Sequence, residues 1–574
     1  MGRRQVTDAL ERLAFAAELL EDERARTWAR AAWAIRNLEG DVEEMRESGA
    51  LAKTRGVGKG VLGVIDEVLE GKKPGALMEM EAKLPEGLFA VRRVKGLGPK
   101  KVKQLWSALT ITSLGELEYA CRENRLVDLK GFGRKTQQKV LEQIERIRET
   151  EGLLRRDQAD AVLGPVLDAL EEVYPQVEPA GEVRRGLELV RELVVLVEGE
   201  ALVEGEALVE GEALVEGEAL AEAQAIVDAA RPPELKVQVA LADAETFGAR
   251  LVWLSSADAH RAALSLRAEA RGMRFDAGGL WMASPDELAP LGTPEEDDVY
   301  RALGLVPTAP ERREEGVPLV EAGRAVTPLV TIDDLRGALH NHTVASDGSH
   351  SLEEMRDAAA ARGLEYLHIS EHSHSAFYAR GLDAERLAEQ LRAIEALNAG
   401  APECVLLSGV ESDILAEGEL DYDEDVLARL DVVIASVHRR HGQDAAQMTA
   451  RMVAAAKNRM TDVVGHPTGR LLLGRAPSAF DVDAFFDACA ESGCAVELNA
   501  NPHRLDLNET HLAMAKERGL LVSIAADAHA TRELDNLAHG VTIARRAGLT
   551  AEDVLNARSL PELRRWVSAR RSAK

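Results

Sequence analysis

Cysteine, aromatic residues and long apolar runs are scarce in this sequence of 574 residues. None of the four cysteines lies in a CxxC pair, which argues against a disulfide framework or a zinc ribbon. Aromatic residues make up 4% of the chain, so leucine, valine and alanine must fill its cores. No apolar run is long enough to cross a bilayer, and the charged, amphipathic start is unlike a signal peptide. We therefore expect a cytoplasmic protein without a membrane partner.

Basic residues are outnumbered by acidic ones, and the net charge is −28. This charge argues against a protein that coats nucleic acid nonspecifically. The stretch 91–106, VRRVKGLGPKKVKQLW, nevertheless has six basic residues and no acid. A basic face is therefore expected on an otherwise acidic chain.

Helical and strand-like patterns divide the chain into regions. Residues 1–150 show short amphipathic helices joined by glycine-containing turns. Residues 151–315 mix helices with short apolar strands, such as Glu192–Val197 and Lys236–Leu241. From residue 335 onward, short β-like runs alternate with longer helical stretches, which predicts a parallel, barrel-like α/β domain.

One segment is repetitive, because VEGEAL occurs four times in tandem from Val197 to Leu220. Each copy adds two glutamates and no base, so the segment supplies 8 negative charges. A period of six is too short for the usual helical solenoids. We expect a helical or disordered surface insert; a β-roll or a partner-binding acidic arm is the alternative.

Histidines and carboxylates gather from residue 335 onward, at the ends of the short apolar runs. Nearly all of the 14 histidines follow residue 339. In parallel α/β barrels, active sites lie at the carboxyl ends of the strands. The residues at such ends that we predict to bind metal are His340, His342, Asp347, His372, Glu411, His438, His466, Asp527 and His529.

Two pairs in this set are separated by one residue, namely His340 with His342 and Asp527 with His529. Residues i and i+2 of a strand face the same side, so each pair can point at one ion. Mixed imidazole and carboxylate ligands suit Zn²⁺, Mn²⁺ or Fe²⁺ rather than Ca²⁺. Clustered divalent ions generate hydroxide near neutral pH and stabilise charge on a phosphate, so the pattern predicts a metal-dependent phosphoesterase.

These motifs resemble the polymerase-and-histidinol-phosphatase (PHP) superfamily over residues 335–574. The likeness lies in LHNHTVASDG, SEHS, the glutamate of GVES, the histidines of SVH and GHPTGR, and DAH. It implies a distorted (β/α)₇ barrel with up to three divalent ions, Mn²⁺ and/or Zn²⁺. The implied ion sites are His340, His342, Glu411 and Asp527; Glu411, His438 and His466; and Asp347, His372 and His529. We expect Glu411, His342 and Asp527 to be catalytic.

Three arginines near these motifs, Arg470, Arg475 and Arg504, are candidates for binding substrate phosphate. Arginine binds phosphate bidentately through its planar fork of N–H groups. A structural or surface ion pair is the alternative role for each of them.

Three Gly-hydrophobic-Gly turns recur in the first 150 residues, each flanked by helical pattern and followed by lysine. This is the layout of helix-hairpin-helix modules, in which backbone N–H groups and a helix N-terminus approach a phosphate. Such binding reads no base edge and is independent of sequence. The predicted DNA-binding residues are Gly56, Gly58, Lys59, Gly96, Gly98, Lys100, Lys101, Gly131, Gly133 and Lys135.

The order of these modules resembles the N-terminal part of a family X DNA polymerase. The likeness continues with GEVRRG at 181–186, whose Arg184 and Arg185 match a phosphate-binding element, and with TFG at 246–248 and PERRE at 310–314. The whole chain resembles the bacterial PolX family, in which such a polymerase is fused to a PHP domain. The resemblance implies a multidomain protein of mixed α+β and α/β class. Its expected parts are an 8-kDa-like helical domain (1–85), a fingers-like helix-hairpin-helix domain (86–150), a degenerate palm (151–230) with the acidic insert (197–220), a thumb-like domain (231–315), a linker (316–334) and the PHP domain (335–574).

The palm departs from the family at the positions that polymerase chemistry needs. Two-metal nucleotide transfer requires carboxylates, which the family supplies as Asp-x-Asp on a palm strand. Here that stretch is ELV at 192–194, and the third family aspartate matches Gln238. Glu182 replaces the phosphate-binding serine, and SSA at 255–257 replaces the nucleotide-binding turn. The sequence DAE at 243–245 has carboxylate spacing but lies at a different place, so we expect polymerase activity to be lost.

The favoured function is a DNA-repair-type 3′–5′ exonuclease, with abasic-site incision and 3′-phosphate removal as related activities of the same site. The alternatives are an active gap-filling polymerase with a PHP nuclease, a phosphomonoesterase of the histidinol-phosphatase type, and a non-catalytic DNA scaffold. The expected partner is DNA with a gap, a nick or a free 3′ end. We expect a monomer in the cytoplasm, associated with the nucleoid.

Overall fold

The computed structural model describes residues 2–38, 40–127, 129–199, 210–232, 235–283, 288–400 and 402–572. The chain divides into two compact units, Met1–Gly152 and Leu153–Lys574. Ten residues of the VEGEAL repeat, 200–209, lie outside the described residues, so the predicted form of the insert is not tested there. Within the described ranges, no helix combines the length and apolarity that crossing a membrane requires.

The first unit is helical, as its amphipathic pattern predicts. Apolar residues at helical spacing, such as Val6, Leu10 and Leu13, are fully buried in its core together with Ile35 and Ile65. The α-helices in the described part of this unit are α1 Gly2–Leu19, α2 Ala25–Arg36, α3 Val42–Glu47, α4 Lys59–Leu69, α5 Gly75–Glu81, α6 Gly87–Val91, α7 Pro99–Leu109, α8 Leu114–Arg122 and α9 Arg134–Thr150.

The second unit begins with a small sheet and its covering helices. Strand β4 lies between β2, to which it is antiparallel, and β5, to which it is parallel, while β1 pairs with β3. The two predicted strands of this region, β4 and β5, lie one residue later than expected. The elements are β1 Leu154–Arg155, α10 Arg156–Glu171, β2 Val177–Ala180, α11 Gly181–Arg184, β3 Leu189–Val190, β4 Leu193–Glu198, α12 Glu210–Ala230 and β5 Val237–Ala242.

A second small sheet follows, in which β6, β7 and β8 form an antiparallel meander. Phe275, Tyr300 and Leu303 are buried in a separate core beneath it. The elements are α13 Phe247–Leu254, α14 Asp258–Glu269, β6 Met273–Asp276, β7 Gly279–Ala283, β8 Leu288–Pro290 and α15 Glu296–Ala302. The chain then continues to the barrel through the short 3₁₀ helices Pro310–Arg312 and Ile332–Asp334.

A closed barrel of parallel strands, in the order β10-β11-β12-β13-β14-β15-β9, forms the rest of the second unit. This confirms the predicted barrel, and each predicted β-like run contains one of its strands. Its elements are β9 Gly337–Asn341, α16 Leu352–Ala360, β10 Tyr366–Ile369, α17 Ala384–Asn398, β11 Val405–Asp413, α18 Glu424–Leu427, β12 Val432–Ser436, α19 Ala445–Lys457, β13 Val463–Gly465, α20 Val482–Ser492, β14 Ala495–Asn499, α21 Glu509–Glu517, β15 Val522–Ala528, α22 Leu537–Arg546 and α23 Leu560–Ser572.

The strands of the barrel are apolar on both faces because helices cover the outside and side chains fill the inside. Leu339, Leu407 and Ile434 belong to an inner cluster, whereas Ile369 and Val433 belong to the large cluster of the barrel. Because all strands are parallel, their carboxyl ends meet at one end of the barrel. Side chains far apart in sequence are thereby brought together.

The last helix, α23, is held to the barrel by a buried charge cluster. Asp462 is fully buried and accepts hydrogen bonds from Arg570 Nε at 3.1 Å and from Val433 N at 2.8 Å. Arg571 Nε donates to the same carboxylate at 3.1 Å. The side chain of Arg570 is only 3% exposed, so its charge depends on Asp462 for compensation.

Replacing Asp462 by asparagine is expected to lower the free energy of unfolding by about 3 kcal/mol or more, because two arginines would lose their compensating charge. Urea unfolding of the full chain measures this change. The matched control is Asp535→Asn in the surface pair with Arg362, where the aspartate is 69% exposed. That control is expected to cost less than about 1 kcal/mol, and equal small effects would contradict the prediction.

Candidate functional site

All nine predicted ligands lie at the carboxyl end of the barrel. Their positions, in chain order, are His340 in β9, His342 and Asp347 after β9, His372 after β10, Glu411 in β11, His438 after β12, His466 after β13, Asp527 in β15 and His529 after β15. Eight of these side chains are buried or half-buried, and Asp347 is exposed to solvent by about a third. The set therefore forms one recessed cluster that opens at Asp347.

Glu411 is the centre of this cluster and is 1% exposed. Its Oε1 lies 3.2 Å from His340 Nε2 and 3.0 Å from His438 Nε2 and from His466 Nε2. Its Oε2 lies 2.9 Å from His372 Nδ1. One carboxylate thus contacts imidazoles that lie in or just after four different strands, so it could be shared between ions.

Two aspartates extend the cluster on either side. Asp527 Oδ1 lies 3.3 Å from His342 Nε2 and 3.6 Å from His340 Nε2. Asp347 lies 3.4 Å from both His372 Nε2 and His529 Nε2. The donor atoms form four groups within 4.8 Å, which are His342 with Asp347, His372 and His529; His340 with His466 and Asp527; His340 with His342 and Glu411; and His372 with Glu411 and His438.

Several buried ligand atoms of the cluster make no hydrogen bond of good geometry with any described residue, although some of them lie close to one another. They are both ring nitrogens of His342, Nε2 of His340, Nδ1 of His372, Nδ1 of His466 and Oε2 of Glu411. An unpaired buried polar atom is costly, and bound cations would remove that cost. The mixed nitrogen and oxygen donors fit divalent transition metals, and their number exceeds what one ion needs.

Charges within the cluster shift the pKa values of its histidines in opposite directions. Burial acts against protonation of His372, but the Glu411 and Asp347 carboxylates outweigh it and raise its pKa to about 10. Burial is also outweighed at His529, whose bond to Asp347 helps raise its pKa to about 9. Burial and the charges of His529 and His372 lower the pKa of His342 to about 3. Cations that bind here therefore compete with protons for histidines such as His372 and His529.

Three polar residues orient the ligands, and the sequence analysis did not identify them. Glu497 in β14 is fully buried and accepts from His340 Nδ1 at 3.0 Å. Asn499 donates both to Glu497 at 2.9 Å and to Asp527 Oδ2 at 3.0 Å. Asp413 Oδ1 lies 2.5 Å from His438 Nδ1. The available signal was a carboxylate or amide near the carboxyl end of an otherwise apolar strand.

The paired ligands, which are separated by one residue in the sequence, come together for a different reason than predicted. His340 and Asp527 have φ values of 62° and 49°, and His466 has a φ of 25°, all in the left-handed region. Strand β9 ends at Asn341, so His342 lies beyond the regular strand. The ligands meet because the backbone turns at the strand ends rather than because side chains alternate along a strand. Such strained conformations concentrate at functional sites.

The three barrel arginines have different surroundings. Arg504 Nε lies 3.7 Å from Asp527 Oδ2, and its buried Nη1 has no hydrogen-bond partner among the described residues. Arg475 donates from Nε to the Gly469 carbonyl at 2.8 Å. Arg470 is 8% exposed and forms a bidentate pair with Glu188, at 3.0 and 2.5 Å. Arg504 is thus at the cluster, whereas Arg470 ties the barrel to the β3 segment.

The palm-like sheet has valine and glutamine at two of the positions where the match to the polymerase family predicts carboxylates. Val194 of β4 pairs in register with Gln238 of β5. Val194 and Leu196 pack in an apolar cluster with Phe247. Asp243, the nearest alternative acid, accepts from the backbone N and the hydroxyl of Thr246 at 2.9 Å, so it serves the turn before α13.

The arginines of the GEVRRG element are paired with carboxylates of their own unit. Arg184 lies 2.8 Å from Glu178 and 2.8 Å from Glu296. Arg185 lies 3.0 Å from Glu314. The Glu182 carboxylate accepts backbone N–H groups at 2.5 and 3.1 Å. The predicted phosphate-binding role of Arg184 and Arg185 would require these internal pairs to open.

The three glycine turns of the first unit share one backbone arrangement. Gly56, Gly96 and Gly131 have φ values of 102°, 89° and 88°, which glycine adopts without strain. The second glycines, Gly58, Gly98 and Gly133, are the N-caps of α4, α7 and α9. A Cβ at any of these second glycines would meet nothing within 4 Å, so the helix N-termini are open to an approaching anion.

The basic face predicted at 91–106 is reduced by contacts within the first unit. Arg92 pairs with Glu11 at 2.9 Å, Arg93 with Glu151 at 3.1 Å and Lys103 with Glu21 at 2.5 Å. Lys101 donates to the Gly96 carbonyl at 3.1 Å. The stretch has no acid in sequence, but the fold places acids of other helices beside it. Lys59, Lys100 and Lys135 remain exposed beside the glycine turns.

Two family models match parts of the chain. Residues 90–146 match the SAM-like helix-hairpin-helix tandem, and residues 250–314 match the DNA polymerase beta thumb. The DNA polymerase/3′-5′ exonuclease PolX of Bacillus subtilis (strain 168) is 32% identical over 575 aligned positions, which cover 98% of this chain and 99% of that protein. The chain belongs to the PolX family.

The C-terminal region of this PolX chain also resembles shorter proteins that are named probable phosphatases. One from Thermoanaerobacter sp. (strain X514) is 28% identical and covers 38% of this chain and 88% of its own length. Another, from Caldanaerobacter subterraneus subsp. tengcongensis, is 26% identical and covers 40% of this chain and 91% of its own length. The barrel is therefore similar to proteins that have no counterpart of the other PolX domains.

Replacing Glu497 by glutamine is expected to weaken Mn²⁺ binding by about 10–100-fold, because the amide would fix the His340 ring less firmly and lower its basicity. Titration of the metal-stripped full chain with Mn²⁺ measures this change. The matched control is Glu365→Gln, a 39% exposed residue before β10 that pairs with Arg336. Unchanged affinity in the Glu497 variant would show that this carboxylate does not support the ligand.

Proposed function

We propose that this PolX chain is a divalent-metal-dependent 3′–5′ exonuclease that acts through the barrel, and that its polymerase-like part holds DNA without synthesising it. The observation that carries the proposal is the convergence of nine imidazole and carboxylate side chains around the buried Glu411. The similarity to an exonuclease along nearly the whole chain supports the DNA substrate. Zn²⁺ or Mn²⁺, in up to three sites, fits the donor groups.

Bound divalent ions would supply a hydroxide near neutral pH and neutralise charge on the phosphate. The protein must hold these ions at fixed positions, which is the task of Glu411 and the imidazoles that contact it. Glu497 and Asp413 fix the ring orientations of His340 and His438. Arg504 Nε lies beside Asp527, and Arg504 Nη1 has no hydrogen-bond partner in the part of the chain that the structure describes, so it can donate to a phosphate oxygen.

The helix-hairpin-helix turns supply the DNA contacts in this proposal. Each one offers backbone N–H groups at a helix N-terminus together with an exposed lysine. These groups bind the phosphate backbone without reading bases, which suits an enzyme that acts on gaps, nicks and 3′ ends. A monomer near the nucleoid fits this role.

Loss of polymerase activity is supported by two features of the palm. Val194 and Gln238 stand in register where metal-binding carboxylates are needed, and the neighbouring side chains are apolar. Arg184 and Arg185, which would contact a triphosphate, are paired with internal carboxylates. The palm then acts as a scaffold, and Glu188 links it to the barrel through Arg470.

Replacing His342 by alanine is expected to lower the exonuclease rate at least about 100-fold, because an ion would lose a ligand at the centre of the cluster. The assay uses 3′- and 5′-labelled DNA with Mn²⁺ or Zn²⁺, and a chelator should abolish the wild-type activity. His511→Ala, on the outer helix α21, is the matched control.

A wild-type protein that hydrolyses a small phosphate monoester but no DNA would favour the phosphomonoesterase alternative. Removal of a 3′ phosphate and incision at an abasic site can be scored on the same gel with suitable substrates. An exonuclease rate in the His342 variant close to that of the wild type would contradict the assigned site.

Primer extension tests the proposed loss of synthesis. No extension of a labelled primer is expected with Mn²⁺ and all four nucleotides, because the palm lacks the carboxylates that hold the catalytic ions. The His342→Ala variant serves as the background, since its weakened exonuclease would not remove a newly added nucleotide. Extension by this variant would overturn the interpretation of the palm.

A further inference from the structure

Two aromatic side chains are exposed at the rim of the metal cluster. Phe377 and Tyr378 are 72% and 56% exposed and belong to the 3₁₀ helix Phe377–Ala379, between β10 and α17. The alanines on either side of the pair, Ala376 and Ala379, are 0% and 2% exposed. The turn thus buries its small residues and presents its large apolar ones to solvent, the reverse of the usual arrangement.

This turn is held firmly at both ends. Leu382 N donates to His372 O at 2.8 Å, and Gly381 N donates to Ala376 O at 3.1 Å. A Cβ on Gly381 would lie 1.9 Å from Ser373 O, so only glycine allows this close approach. Ser375 donates from its hydroxyl to Asp413 Oδ2 at 2.5 Å. The two aromatic rings are therefore anchored to the same residues that orient the cluster.

The ring of Tyr378 adjoins the ligands. Its centroid is 6.4 Å from that of His372, and the Phe377 centroid is 6.1 Å from that of Tyr378, with the two rings at 77° to each other. The rings therefore lead outward from the metal cluster to solvent.

Positive charge accompanies these rings. The Arg439 guanidinium lies 5.3 Å from the centroid of Phe377. Arg439 and Arg440 directly follow the ligand His438, and both are exposed. Aromatic faces combined with arginine are the means by which proteins bind single-stranded nucleic acid, because bases stack on the rings and phosphates pair with the cations.

We propose that Phe377 and Tyr378 form a stacking platform for unpaired bases at a DNA 3′ end. This inference rests on the proposed exonuclease function and assigns the contacts with the terminal bases to these two residues. The scissile phosphate must reach donors such as His342, which is 0% exposed. A single strand can enter that recess with its bases turned onto the rings, whereas a paired end must first open.

The test compares 5′-labelled strands that differ only at their 3′ ends. One strand has normal terminal nucleotides, a second has abasic analogues at the last two positions, and both are used single-stranded, paired, or with a terminal mismatch. The wild type is expected to prefer single-stranded and mismatched ends over paired ones. Phe377→Ala is expected to lower kcat/KM on the base-bearing single strand about tenfold or more and to leave the abasic strand unchanged.

Matched variants separate stacking from other effects. Phe377→Trp should retain activity because it keeps an aromatic face, whereas Phe377→Leu should behave like the alanine variant. Tyr378→Phe keeps the ring and should retain preference for base-bearing ends. Ile332→Ala is the control, since Ile332 is 47% exposed and precedes β9 at the opposite end of the barrel.

A binding measurement makes the inference independent of turnover. A strand with 2-aminopurine at its 3′ end should be quenched when it binds the His342→Ala protein, and much less when Phe377→Ala is added to that background. Equal quenching, or equal losses of kcat/KM on base-bearing and abasic strands, would overturn the platform. If the wild type is an active exonuclease and the Phe377 variants have unchanged kcat/KM and quenching, the platform alone is refuted. If the wild type binds and quenches the strand without hydrolysing DNA, the proposed function alone is refuted.

Discussion

The close packing of imidazoles around one buried carboxylate governs the arrangement of the barrel end. Glu411 is removed from water and contacts one histidine in β9 and others just after β10, β12 and β13. Desolvating so many polar groups is unfavourable unless cations or hydrogen bonds compensate for it. Glu497, Asn499 and Asp413 provide part of that compensation, and the backbone accepts left-handed conformations at His340 and Asp527 to complete the set. The proposed function depends on residues whose burial and backbone conformations are locally unfavourable.

The same unit places the polymerase-like sheet against the barrel. Glu188 pairs with Arg470, and Arg546 of α22 donates to Arg185 O at 2.7 Å and pairs with Glu314 at 2.9 Å. A Cβ on Gly186, which has a φ of 73°, would lie 2.3 Å from Thr542. The element that matches the phosphate-binding element of the polymerase family therefore packs against the barrel. In this chain, charged groups that a polymerase would use to bind its substrate take part in contacts between domains.

The residues at the rim of the barrel are those that can select the substrate. A metal cluster of this kind hydrolyses many phosphate esters, so selectivity must come from the groups around it. Arg504 lies beside Asp527, and the exposed aromatic turn with Arg439 lies on another side. In the first unit, three open helix N-termini offer backbone N–H groups to phosphates. These features favour a long polyanion that carries bases over a small phosphate monoester.

The sequence by itself determined the helical first unit, the parallel barrel and the convergence of the ligands, because hydrophobic periodicity and chain direction are local properties. Each β-like run that follows Leu335 contains a strand of the barrel, and the three glycine turns cap helices as predicted. Only the tertiary structure decided which charged side chains remain available to bind a substrate and which form internal ion pairs. Arg92 and Arg470 looked free in sequence but meet Glu11 and Glu188, which lie far away along the chain. Ion pairs and buried orienting groups such as Glu497 depend on contacts between distant segments, which no local pattern encodes.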